Sequence, residues 1–145
     1  MSKRQALCRT VQVFLCAAAL ALPALAGEPE EQMRLLRCVR RIHVPEYSPL
    51  ARQARQTGTA VTTVTLGEGG TVERVDVAEV KSLLRGDVER AMRLSEFSPE
   101  CRGERLSFLF TFSLRDPPHE FPRPLLAFSP PNHFFISVAV PLINP

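Results

Sequence analysis

The hydrophobic pattern switches period several times along the chain. Residues 49–57 begin after Ser48, a good N-cap, with Pro49 at the first helical position. Leu50, Ala51 and Ala54 then share one face, and Gly58 is placed to close the turn, so the spacing predicts a short helix over 49–57. Residues 59–66 alternate: Ala60, Thr62, Val64 and Leu66 point one way, and Val61, Thr63 and Thr65 the other. Gly67-Glu68-Gly69-Gly70 supplies positive-φ positions for a reversal, and a second strand returns over 71–80 with Val75 and Val77 inward. This is a hairpin pattern.

A second helix is expected over about 83–95, where Leu84, Val88, Ala91 and Met92 recur at helical spacing. Gly86 weakens its start and makes Asp87 a candidate N-cap; Phe97-Ser98-Pro99 ends it. The cleanest period-two segment is 106–114. Leu106, Phe108, Phe110, Phe112 and Leu114 face one side; Ser107, Leu109, Thr111 and Ser113 face the other. That row should centre the core under both helices. Upstream, residues 28–41 fit either a short helix or an edge strand, and Pro45 keeps 42–44 extended. Downstream, Pro117, Pro118, Pro122, Pro124, Pro130 and Pro131 predict a stiff extended linker over 116–133. Residues 134–140 alternate again and predict one extra strand. The expected fold is therefore α+β: a small antiparallel sheet of about three strands packed with two helices, followed by a Pro-rich C-terminal extension. The division reads 1–26, 27–41, 42–115 and 116–145.

The first of these segments has export chemistry. Lys3, Arg4 and Arg9 precede an apolar run from Val11 to Leu22, and Ala24-Leu25-Ala26 forms a small-residue cleavage site before Gly27. The run is shorter than the roughly 20 residues of a membrane span. A cleaved signal peptide and a periplasmic protein are expected; an inner-membrane anchor is the competing reading. Cleavage removes three of the 18 basic residues and none of the 15 acidic ones, leaving 27–145 formally neutral. No basic patch argues for nucleic acid. Two cysteines, Cys38 and Cys101, remain after cleavage, an even pair suited to a disulfide in an oxidising compartment. A metal site would need His43 beside them, and no close Cys/His spacing supports it.

The residues of the usual catalytic combinations are scattered along the sequence. His43, His119 and His133 lie far apart; Ser48, Ser82 and Ser98 sit at turns or caps; Glu68-Gly69-Gly70 carries no phosphate-cradling lysine. Arg85-Gly86-Asp87 spells an adhesion tripeptide, read here as coincidence. No enzyme, cofactor or small-molecule substrate is expected.

The ordered set resembles the C-terminal domain of the TonB family. Tyr47, Ala51, Arg52 and Gly58 match the family's Tyr-Pro-x-x-Ala-Arg opening and the glycine after it, with Ser48 in place of proline. Gly70, Val72, Val75 and Val77 match its hairpin; Ala91, Phe97 and Pro99 match its second helix and exit. Ser95 stands where the family usually has a buried tryptophan. The resemblance spans about 42–115. It implies a non-enzymatic domain that binds protein partners, outer-membrane receptors among them, when a short receptor segment pairs with the last strand. Carried onto this chain, that strand is Leu106, Ser107, Phe108, Leu109, Phe110, Thr111, Phe112, Ser113 and Leu114. Standard members carry a membrane anchor and a long Pro-rich spacer, so a cleaved chain would share the fold without the energised function. The alternatives are a closed structural or inhibitory module with the tail on that edge, a homodimer, and, if the N-terminus is retained as an anchor, a membrane-tethered energy-transducer-like protein in outer-membrane transport.

Overall fold

The computed structural model describes residues 29–116 and 124–140. The segment that sequence left between helix and strand contains both. Helix α1 runs Pro29–Cys38, and strand β1, Val39–Arg41, follows at once. Among the described residues no helix is long and apolar enough to cross a membrane; residues 1–26, expected to be an export signal, lie outside them.

Helix α2 is Pro49–Gln53, shorter than expected. Ser48 Oγ accepts from Ala51 N at 3.3 Å, as an N-cap should. The helix ends at the Ala54 cap, Arg55 follows with a positive φ of 48°, and Gly58, also at positive φ, opens the next strand. Strand β2, Gly58–Leu66, then pairs antiparallel with β3, Val72–Ala78, across a single 3-10 turn at Glu68–Gly70. Gly69 and Gly70 have φ of 68° and 77°, and a Cβ on Gly70 would collide with the Phe97 carbonyl, so the turn needs glycine there.

Helix α3 runs Ser82–Leu94. Asp87 is therefore not its N-cap. Its carboxylate is buried in mid-helix, accepting from Ser48 N at 3.3 Å and lying 3.6 Å from the Arg90 guanidinium. That ties α2 to α3. At the far end Ser95 Oγ donates to Ala91 O (2.9 Å) and accepts from His43 N (3.0 Å). A small hydroxyl at this position holds the extended 42–44 segment by hydrogen bonds. Strand β4, Glu96–Phe97, pairs with β1, and the Arg41 guanidinium meets the Glu96 carboxylate beside it.

Strand β5, Arg105–Arg115, pairs antiparallel with β2. The sheet does not stop at three strands. Strand β6, Leu125–Ser129, lies inside the stretch expected to be linker, and β7 occupies His133–Ala139. The order is β3-β2-β5-β7-β6, with β5 and β7 parallel and all other neighbours antiparallel. A parallel neighbour needs a long crossover, which the residues between β5 and β7 supply.

The core lies on one face of this sheet. Ala60, Val64 and Leu66 of β2, Leu106, Phe108, Phe110 and Phe112 of β5, and Ile136 and Val138 of β7 are buried there. Leu84, Val88, Ala91 and Met92 of α3 complete the same cluster with Tyr47, Ala51 and Leu35. Each large side chain so buried contributes roughly 1.5–3 kcal/mol. Leu114 is only partly buried, where the row meets the sheet's end.

Cys38 and Cys101 are bonded, joining the end of α1 to the 3-10 turn Pro99–Cys101. Ser98 N donates to Cys38 O at 2.8 Å beside the bond. Arg34 and Arg37 of α1 also reach Glu104 at 3.5 and 3.2 Å.

Candidate partner-binding edge

The residues expected to receive a partner do form one continuous strand, but that strand is interior. On one side β5 pairs with β2 over 105–112. On the other, β7 follows it from Leu109 to Arg115. Asn132 extends the cover: its carbonyl accepts from Leu109 N at 3.0 Å, and its amide donates to Ser107 O at 2.8 Å. The reading of 106–114 as an open edge is thus corrected. Period-two patterning places side chains and says nothing of what sits on a strand's flanks.

The seam is packed as core. Phe110 stacks on Phe134 with ring centroids 5.3 Å apart, and Phe134 meets Phe128 of β6 at 4.8 Å. On the opposite face Thr59, Thr111 and His133 form a hydrogen-bonded row, 2.8 Å at each step. His133 Nε2 is held there, and its ring stacks on Phe135 at 4.0 Å. His43 is engaged through its backbone, and His119 lies outside the described residues. Among the described residues no group of three His, Cys, Asp or Glu could hold a metal.

The sheet's two outer strands differ sharply. Strand β3 carries Glu73, Arg74 and Asp76, with Arg74 bound to Asp76 at 2.8 Å, and Arg85 of α3 donates to the Val77 carbonyl. Charge and a covering side chain are the usual ways to blunt an edge. Among the described residues strand β6 has neither. Leu-Leu-Ala-Phe-Ser is uncharged, all five residues are exposed, and β7 is its sole strand neighbour among the described residues. Sequence reasoning missed this strand because Pro124 and Pro130 bracket it and its residues do not alternate.

Two open apolar grooves flank the inner face of β6. One, about 320 Å³, lies between α1 and the hairpin and is lined by Leu35, Leu36, Val39, Ile42, Phe128 and Phe134, among others. The second, about 470 Å³, runs between residues 44–52 and the strands, with Tyr47, Arg52, Leu126, Ile136 and Val138 in its walls. Burial pushes the Tyr47 phenol above its usual pKa, and the Arg52 charge opposes that; the hydroxyl donates to the Gln56 carbonyl.

Residues 43–114 match the family described as Gram-negative bacterial TonB protein C-terminal. No curated protein and no solved structure matches the chain. The matched stretch excludes both additions seen here: the α1–β1 arm with its Cys38, and the β6–β7 hairpin.

Proposed function

With residues 43–114 a TonB C-terminal-like domain, we propose that the protein is an exported, non-enzymatic envelope module that grips an extended segment of a protein partner by strand addition at β6. Domains of this family interact with proteins such as outer-membrane receptors, and among the described residues no catalytic constellation competes with that reading. Its single support is the outer edge of Leu125–Ser129, uncharged and, among the described residues, unshared. The hairpin fills the flank of β5 and moves the acceptor rim outward by two strands. Side chains of an added strand that face inward would lie beside Leu126 and Phe128, over the two grooves.

The test is amide hydrogen exchange on the full mature chain with a panel of extended N-terminal peptides from outer-membrane receptors. Slowed exchange at 125–129 is expected. Slowing confined to 105–109, or none, would refute the assignment. Export is checked separately: intact mass of protein recovered from the periplasm should place the new N-terminus at Gly27.

A second reading is favoured by β7 lying along β5. The hairpin would be a built-in inhibitor that a partner displaces. Ser113 and Ser137 are register partners across that seam. A Ser113→Cys/Ser137→Cys lock abolishes binding under displacement and leaves binding at β6 unchanged.

A further inference from the structure

The rim of β6 is self-matching. We propose that its resident partner is a second copy of this chain, paired β6 to β6 in antiparallel register about Ala127; this rests on the reading of β6 as the acceptor rim and names what occupies it.

A two-fold axis through Ala127 sets Leu126 of each copy opposite Phe128 of the other, and Leu125 opposite Ser129. Leu126 and Phe128 project toward the helix-bearing face, because their register partners on β7 are Ile136 and Phe134. There they are 53% and 52% exposed. The aromatic series Phe108, Phe110, Phe134, Phe128 crosses the sheet and, among the described residues, ends at this rim. A second copy continues it with its own Leu126 and Phe128. On the other face the small Ala127 meets itself, so the axis has no clash and no charge. Cross-strand apolar pairs of this kind stabilise, and like charges would not.

Electrostatics favours the same arrangement. Residues 27–145 are formally neutral, so two copies do not repel. Pairing β6 of one copy with β3 of the next would strip water from Glu73, Arg74 and Asp76 against an uncharged strand. The isologous pair avoids that and closes at two. A five-residue seam is small, so association should be weak and concentration-dependent.

Sedimentation of the mature chain over a wide concentration range should give a monomer–dimer equilibrium. Ala127→Lys, which sets two ammonium groups face to face at an exposed site, should raise the dissociation constant at least about tenfold. Ala127→Cys should form a covalent dimer on mild oxidation, and Leu125→Cys, which faces Ser129, should not. A monomer in which the 125–129 amides that point away from β7 exchange fast would overturn the second copy and leave the rim reading standing. A monomer in which those outward amides exchange slowly would mean the chain covers its own rim, and both would fall. A dimer insensitive to Ala127→Lys, or cross-linked equally through both cysteines, uses another surface and overturns the proposal.

Discussion

Replacing Ile136 by alanine tests whether the hairpin is core or ornament. Ile136 is 4% exposed, opposite Phe112 of β5 on one side and Leu126 of β6 on the other. The change deletes three buried carbons, about 2.4 kcal/mol at roughly 0.8 kcal/mol per methylene. A residual cavity adds about 24 cal/mol per Å³. Ile136 also lines the groove beside Tyr47, so the site can partly collapse and the cavity contribution stays small. The expected loss is about 2.5–3.5 kcal/mol. Urea denaturation of the oxidised chain, followed by circular dichroism, reads it directly. Leu125→Ala, at a residue 57% exposed on the rim, serves as the control and should stay within about 0.5 kcal/mol. If Ile136→Ala matched that control at an unchanged denaturant slope, the hairpin would not belong to the cooperative unit. The flank of β5 would then be accessible, and the relocation of the rim to β6 would lose its basis.

Three further outcomes follow from the packing. Reducing the Cys38–Cys101 bond, or replacing both cysteines by serine, should lower unfolding stability by about 4 kcal/mol on the chain-entropy estimate for a sequence separation of 63, read by denaturation with and without reductant. Gly70→Ala should destabilise by more than about 2 kcal/mol, since it combines positive φ with a collision at the Phe97 carbonyl, whereas Gly69→Ala, with open space around it, should lose only about 1 kcal/mol by the same denaturation assay. Thr62→Val should raise stability by about 1 kcal/mol and the melting temperature with it, because the Thr62 hydroxyl is fully buried and finds no partner among the described residues.

Residues 47–115 were legible because each element carries its own period and its own punctuation. Pro49 starts α2, the glycine run turns β2 into β3, and the phenylalanine row marks β5 as the centre of the core. The errors have local causes. Asp87 looked like a cap because Gly86 precedes it, but its carboxylate is used by the Ser48 amide from another element. Proline density from Pro117 to Pro131 hid β6, whose five residues face water on both sides and so show no alternation. The direction of β7 has no local signature at all. Its parallel course comes from the length of the connection and the register of Phe110 with Phe134, neither of which a single segment encodes. Since the candidate rim depends on that course, the site was less legible than the fold.

The bond between Cys38 and Cys101 makes the molecule's stability a function of place. Wherever glutathione keeps both sulfurs reduced, the α1–β1 arm loses its covalent clip and is held by Leu35 in the core, the short β1–β4 pairing, the Arg41–Glu96 pair, the Ser98–Cys38 backbone bond and the Arg34/Arg37–Glu104 pairs, and the chain is easier to pull through a narrow pore. Where a thiol oxidant prevails, the same chain locks and resists being threaded back.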